Sequence, residues 1–207
     1  MSPRPTQPPE QAEAKKFAII QATLDAIVAR GPAAVRLGDV ANATGMSIGT
    51  VQYYFESRDE LLAQSFSFHT ATVLLHLEQM SKPGDDPRGQ MARYRLHDAF
   101  AAIHGVGMHE QRSRIWLELV TAARTDEGLQ NCVDAVFDGW RKLFRTIVDD
   151  GLERAEFGLF ELTAAEVVDT FIAIIDGFDL AIVAGHGPEP RTMTRILIET
   201  ADRLLEG

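Results

Sequence analysis

The sequence predicts an all-α fold. Apolar residues recur at helical spacing along most of the 207 residues, and two Ser/Thr-x-x-Glu capping boxes mark helix starts at Ser57 and Thr163. No segment alternates apolar and polar residues between hairpin turns, as a half-buried strand does. Apolar residues make up 45% and charged residues 24% of the chain, which is typical of a globular protein.

Proline and glycine residues predict where the first helix begins and ends. Residues 1–11 contain four prolines, so we predict a disordered tail there. The stripe from Phe17 to Val28 predicts the first helix. It should end at Gly31, the expected left-handed cap residue, which Pro32 follows.

Three further helices are predicted close behind the first. A short helix ends at Gly45, and another begins after Ser47 and runs to about Phe55. The Ser57 capping box then opens a longer fourth helix, with two carboxylates in its first turn.

The remaining chain continues as helices separated by Pro- and Gly-containing breaks. Asp86 and Pro87 are the expected N-cap and first residue of the next helix. The predicted helical ranges are 87–104, 111–124, 126–154, 163–184 and 190–206.

Charge divides the chain into two modules. Residues 1–58 carry six basic and five acidic residues, a net charge of +1, whereas the remainder carries 14 basic and 25 acidic residues and sums to −11. An N-terminal module that tolerates a polyanion and an acidic body are therefore expected, with the boundary between residues 12–57 and 58–207.

Several protein classes are disfavoured. Cys132 is the only cysteine, so we expect no intrachain disulfide and no cysteine metal cluster. Apolar runs fall well short of about 18 residues, and residues 1–10 lack the apolar segment of a signal peptide. A cytoplasmic protein without a membrane partner is the expectation.

The spacing of the second to fourth helices is typical of a helix-turn-helix unit, with Gly45-Met46-Ser47 as its turn. In its second helix, Val51 and Phe55 lie four residues apart and should face inward. Side chains able to reach bases and phosphates occupy the other sides. These are Ser47, Gly49, Thr50, Gln52, Tyr53 and Tyr54.

The stretch from Gly45 to Leu62, with Val40-Ala41 before it, resembles the tetracycline-repressor (TetR) family of bacterial transcriptional regulators. The resemblance is specific over about 50 residues. It implies that the six residues above contact double-stranded operator DNA and that Arg58 contacts a phosphate. Gln52 stands where an aromatic residue is usual, and Tyr54 where histidine is usual. Arg36 is a further candidate phosphate contact.

An enzymatic alternative shares the same residues. Gly45-Met46-Ser47-Ile48-Gly49 fits the Gly-x-Ser-x-Gly nucleophile elbow of serine hydrolases. That elbow requires a buried strand before the serine, and the preceding residues show helical spacing instead. We therefore expect no catalytic residue, no cofactor and no metal. A regulator that acts constitutively or as an activator remains a further alternative.

A dimer is expected because one helix-turn-helix unit reaches only one half-site. Two apolar stripes near the C-terminus could form a four-helix interface between protomers, or could face the chain's own core. They comprise Val168, Phe171, Ile172, Ile175, Phe178 and Ile182 in one stripe, and Met193, Ile196, Leu197 and Leu204 in the other.

The middle helices contain large apolar residues among a few polar ones, which could enclose a small-molecule effector or form plain core. The candidates are Phe100, His104, Met108, Trp116, Phe137, Trp140, Phe144 and Phe171. By the family resemblance, an effector of unidentified chemistry would bind there and release the DNA.

Overall fold

The computed structural model describes residues 8–85, 87–103 and 109–206. Within these ranges the regular structure is helical throughout, which confirms the predicted all-α class. The elements are α1 (Pro9–Arg30), a 3-10 turn (Pro32–Ala34), α2 (Leu37–Thr44), α3 (Ile48–Tyr54), α4 (Arg58–Ser81), α5 (Ala92–Ile103), α6 (His109–Ala123), α7 (Glu127–Glu153), α8 (Ala164–Val183) and α9 (Pro190–Leu205).

The predicted capping box forms completely at α8 and only in part at α4. At α8, the Thr163 hydroxyl accepts a hydrogen bond from the Glu166 amide at 3.3 Å, and the Glu166 carboxylate accepts from the Thr163 amide at 2.8 Å. At α4, the Ser57 hydroxyl accepts from the Glu60 amide at 3.1 Å. The Glu60 carboxylate, however, accepts from the amide of Glu56 at 2.7 Å. These bonds satisfy amides that a helix start leaves without intrahelical partners.

The start of α1 differs from the prediction. The helix begins at Pro9, so residues 9–11 are helical and the proposed tail boundary is too late. Proline lacks an amide hydrogen, and the first helical turn has no partner for that hydrogen anyway. Pro9 therefore suits the first position. Residues 1–7 of the predicted tail lie outside the described residues.

The start of α5 also differs, because the helix begins at Ala92 and not at Pro87. Residues 87–90 form a turn, and the Gly84 amide donates to the Gly89 carbonyl at 3.1 Å. This bond closes a short loop where a helical start was expected. Asp86, the proposed N-cap, lies outside the described residues.

Two glycines shape the N-terminal helices. Gly45 ends α2 in the left-handed conformation, with φ 66° and ψ 20°. Gly31 follows α1 with φ 76° but ψ 158°. The prediction of a left-handed cap at Gly31 is therefore wrong in ψ: the positive φ agrees with it, but the extended ψ belongs to a different region that essentially only glycine adopts.

The helices form an N-terminal head and a larger body. The head is built by α1, α2 and α3, and α4 packs on α1 before running into the body. There α4 packs along α7, α6 lies against α7 and α8, and α5 lies against α7 and α9. The body core holds Phe100, Phe144 and Phe171, whose ring centres lie 5.2–5.7 Å apart. The long helices α1 and α4 therefore join head and body.

Candidate functional site

The recognition helix α3 is held by its own cap and by two buried anchors. The Ser47 hydroxyl accepts a hydrogen bond from the Thr50 amide at 3.0 Å and lies 2.9 Å from the Thr50 hydroxyl. Val51 and Phe55 are fully buried, as the spacing predicted. Anchors four residues apart fix which side of α3 faces the core, so the opposite side faces solvent.

Four of the six predicted DNA-contacting residues are exposed, and the other two are half-buried. Ser47, Gly49 and Gln52 are exposed, and Tyr53 is 81% exposed. Thr50 and Tyr54 are half-buried. The Tyr54 ring packs edge-on against that of Tyr53, with centres 5.2 Å apart. The structure thus brings these six residues together on α3 and its N-cap, and their contacts with DNA stay a prediction.

Ile48 is a candidate contact that the sequence reasoning missed. It is the first residue of α3 and its side chain is 51% exposed. An exposed apolar group on a recognition helix can pack against the methyl group of thymine. The signal was its position between Ser47 and Gly49, but its apolar type suggested a core residue.

The two arginines proposed as phosphate contacts have different surroundings. Arg36 is exposed and precedes α2 in extended conformation. The Arg58 guanidinium donates to the Val35 carbonyl at 2.8 Å, to the Pro32 carbonyl at 2.5 Å and to Asp59 at 2.9 Å. Arg58 therefore ties the start of α4 to the head, and its contact with a phosphate stays a prediction.

The fold removes the basis of the serine-hydrolase alternative. The residues before Ser47 form α2, and the Ser47 hydroxyl caps α3. A nucleophile elbow needs a strand leading into the serine to hold its strained turn. The Gly-x-Ser-x-Gly pattern here is a helix-turn-helix turn.

A cavity of about 340 Å³ lies where α1, α4, α5, α6 and α7 meet. Its walls are mostly apolar, as in typical small-molecule sites. The apolar lining consists of Leu24, Phe68, Val73, Leu77, Met80, Ala102, Ile103, Ile115 and Trp140. The polar lining consists of Gln21, His69, Thr72, His76, His109, Gln111 and Arg112.

One lining residue of this cavity, Arg112, belongs to a largely buried ion pair. Arg112 on α6 donates to the Asp179 carboxylate on α8 at 2.6 Å, and the Ser113 hydroxyl donates to the same oxygen at 2.7 Å. Nearby, the Trp116 indole donates to Asp176 at 3.2 Å. These five residues connect α6 to α8. The two carboxylates line a second cavity of only about 20 Å³, which shares Arg112 with the larger one.

Burial perturbs the titratable groups around this ion pair. Burial, with a smaller contribution from the charge of Arg112, lowers the pKa of His69 to about 4. Burial raises the pKa of Asp176 to about 6. Burial also raises the pKa of Asp179, although Arg112 and Ser113 act against it. His69 is therefore neutral near pH 7.

The structure places only two of the predicted pocket residues at a cavity, and their contact with an effector stays a prediction. Trp140 lines both cavities, and Trp116 lines the small one. Phe137 packs on Trp116 with ring centres 5.5 Å apart and is not among the lining residues. Phe100, Phe144 and Phe171 are fully buried and fill the core, because their rings pack on one another. His104 and Met108 lie outside the described residues.

The sequence reasoning missed most of the polar lining. His69, Thr72 and His76 lie at positions i, i+3 and i+7 on one face of α4. This polar row beside an apolar stripe was the available signal. Arg112 carried no such signal, because its partner Asp179 is 67 residues away.

The proposed dimer stripes also require correction. Six of their residues are buried within the single chain, so they cannot form a surface between protomers: Val168, Phe171, Ile172, Ile175, Met193 and Leu197. The remaining residues are half-buried: Phe178, Ile182, Ile196 and Leu204.

The exposed side of α8 carries a different row. Ala173, Gly177 and Ala184 are exposed, and Leu180 is 60% exposed. Their spacing of four, three and four residues places them on one side of the helix. A side chain at Gly177 would meet no atom within 4 Å. Because the residues of this row are small or apolar, another helix can pack closely against it.

Two features common to cofactor-binding and membrane proteins are missing from the described residues. No group of three or more His, Cys, Asp or Glu side chains among them is arranged to hold a metal ion. Of the described helices, none combines the length and apolarity needed to cross a bilayer.

Comparison with known proteins agrees with this architecture. Residues 19–64 match the family described as bacterial regulatory proteins, tetR family, and residues 92–206 match the family described as BetI-type transcriptional repressor, C-terminal. The HTH-type transcriptional repressor Rv3405c of Mycobacterium tuberculosis is 31% identical over 168 residues, covering 77% of this chain and 86% of that protein.

Solved structures share the fold at lower identity. A TetR transcription regulator from Haloarcula marismortui is 21% identical, with a TM-score of 0.78 over 93% of this chain and 99% of the other. A transcriptional regulator from Saccharomonospora viridis, solved in complex with choline, is 19% identical, with a TM-score of 0.81 over 93% and 98%. From these matches and the helix-turn-helix head, we conclude that the chain belongs to the TetR family of transcriptional regulators.

Proposed function

We propose that the protein is a homodimeric repressor that binds a palindromic operator through α3 and releases it when a small molecule occupies the larger cavity. The observation that carries this proposal is the path of α4. Its first residue, Arg58, is bonded to the head, and its later turns supply seven cavity-lining residues. A ligand that shifts α4 therefore also shifts the head.

A second connection runs through α1. Gln111, which lines the cavity from α6, donates to Asp25 of α1 at 3.1 Å. Gln21 and Leu24 of α1 also line the cavity. Ligand contacts that differ between two head positions shift their populations, with coupling of about 1–3 kcal/mol in typical allosteric proteins.

DNA recognition is tested with matched aromatic variants. Operator fragments are first selected from random DNA with the purified protein, and affinity is measured by fluorescence anisotropy. Tyr53 and Phe160 are 81% and 76% exposed. Tyr53→Ala should weaken operator binding at least about tenfold, whereas Phe160→Ala should not, because only Tyr53 lies on α3. Equal affinities for the two variants would contradict the proposed DNA-binding face.

The dimer is tested on the exposed row of α8. Two recognition helices must lie about 34–36 Å apart, or a multiple of that, to read two half-sites. Leu180→Arg should give monomers in analytical ultracentrifugation and lose operator binding. Leu75→Arg is the control, because Leu75 is similarly exposed but lies on α4. A dimer that survives Leu180→Arg would exclude this face.

The remaining parts of the proposal follow from this role. A repressor of chromosomal genes acts where the chromosome lies, so we expect a cytoplasmic protein. The acidic body repels DNA, so binding should rest on the few cations near the head and fall steeply with salt. Effector release is tested by adding the ligands named below to the protein bound to its selected operator.

A further inference from the structure

Two polar side chains that line the larger cavity each carry a nitrogen atom without a hydrogen-bond partner. Among the described residues, Arg112 Nε and His109 Nδ1 are buried without a partner. Both residues line the cavity. A buried polar atom without a partner costs free energy, so a ligand that supplies an acceptor to both atoms gains affinity.

We propose that the effector is an amphipathic carboxylate whose head group accepts hydrogen bonds from Arg112 and His109. This inference rests on the proposed function, because it names the chemistry of the ligand at the same site. The other polar side chains that line the larger cavity are histidine, glutamine and threonine, and no described carboxylate is among them. A carboxylate can accept from an arginine and a histidine together.

The positions of the two aspartates oppose a cationic head group in this cavity. Asp176 and Asp179 line the small second cavity and not the larger one. Asp179 is also occupied by Arg112 and Ser113. The lining of the larger cavity therefore offers a cation the Arg112 guanidinium and no carboxylate.

The rest of the cavity determines the size and polarity of the ligand body. A volume of about 340 Å³ holds about eleven water-sized groups of about 30 Å³ each. Decanoate, with about a dozen non-hydrogen atoms, is close to this size. Its chain would lie among Leu24, Phe68, Leu77 and Ile103.

The test compares three ligands with the same chain and different heads: decanoate, methyl decanoate and decyltrimethylammonium. Binding is measured by intrinsic fluorescence and calorimetry on the full-length protein. The chain has two tryptophans, and both line one of the cavities. Decanoate should bind at least about tenfold more tightly than either other ligand, because only its head accepts charge-assisted hydrogen bonds.

Two variants of the ion pair are expected to change decanoate affinity in opposite directions. Asp179→Asn removes the anion that competes for Arg112 and should raise decanoate affinity. Arg112→Gln combined with Asp179→Asn should lower it at least about tenfold below that of Asp179→Asn. Arg114→Gln is the matched control, because Arg114 lies on the same helix and pairs with Glu110 at the surface.

A further variant tests the same ligand site if the ion-pair variants do not fold. His109→Leu leaves Arg112 and Asp179 in place and should weaken decanoate binding several-fold, with unfolding temperature checked for each protein. Tighter binding of methyl decanoate or decyltrimethylammonium overturns the inference. So does the failure of all three ligands to bind, or unchanged decanoate affinity in both the double variant and His109→Leu.

Failure of this inference is distinguishable from failure of the proposed function. Decanoate binding without operator release would leave the ligand chemistry standing and contradict the ligand-released repressor. Operator release by decyltrimethylammonium but not by decanoate would support the repressor and overturn the carboxylate.

Discussion

Arg58 and Val35 are joined by a hydrogen bond of 2.8 Å from the arginine Nε to the backbone carbonyl, across 23 positions of sequence. The same guanidinium also reaches the Pro32 carbonyl. Val35 is buried in the head, and Arg58 is the first residue of α4. One side chain therefore ties the first residue of the long helix to the head.

Replacing Arg58 should loosen this junction. Arg58→Gln is expected to lower the free energy of unfolding by about 1–2 kcal/mol, because two backbone carbonyls lose a charged donor. Urea denaturation measures the loss. Arg195→Gln, which breaks an exposed pair with Glu199, should cost about 0.5 kcal/mol or less.

The same variant tests the route between cavity and head. If Arg58 transmits movement of α4, an effector that releases the operator from the wild type should release it less completely from Arg58→Gln. Full release at the same ligand occupancy, measured by anisotropy, would show that the α1 connection suffices.

Replacing the capping residues of two helices should lower stability equally but affect DNA binding unequally. Ser47 caps α3 and Thr163 caps α8, each by accepting an amide hydrogen bond. Replacing either by alanine is expected to cost about 1 kcal/mol of unfolding free energy. Only Ser47→Ala should weaken operator binding. A similar loss of binding in Thr163→Ala would mean that lost stability, and not a lost contact, explains the effect.

The aromatic core cluster should behave as core. Phe171→Ala is expected to cost about 3–5 kcal/mol, because Phe171 is fully buried between Phe100 and Phe144. Thermal unfolding followed by circular dichroism checks this loss. A cost below about 1 kcal/mol would indicate that the site is an expandable pocket.

The raised pKa of Asp176 predicts that replacing this residue increases the free energy of unfolding by an amount that depends on pH. Burial raises this pKa from its ordinary value of 3.8 to about 6. Between these two pH values the folded protein therefore binds a proton on Asp176 that the unfolded protein has lost. Stability from this group is therefore present at low pH and is lost as pH rises through about 6. The amide side chain in Asp176→Asn does not ionise, so this variant does not lose stability at that position as the pH rises.

Relative to the wild type, Asp176→Asn should gain about 1–3 kcal/mol of unfolding free energy between pH 3.5 and pH 7.5. Urea denaturation of both proteins at several pH values isolates this difference from other titrating groups. A difference that is constant with pH, or that changes in the opposite direction, would contradict the raised pKa.

The sequence by itself determined the features that depend on neighbouring residues. The capping hydroxyls of Ser47, Ser57 and Thr163 bond to amides three positions later, and the spacing of Val51 and Phe55 sets the inward side of α3. Such hydrogen bonds and periodicities act within one or two helical turns, so a local pattern predicts them.

Only the tertiary structure decided which apolar stripes are buried and where the cavity lies. Met193 and Leu180 both occur in apolar helical patterns, yet the first is fully buried and the second is 60% exposed. Arg112 meets Asp179 only because α6 packs against α8. The physical reason is that periodicity gives each helix an apolar face, whereas the choice of what covers that face depends on helices distant in sequence.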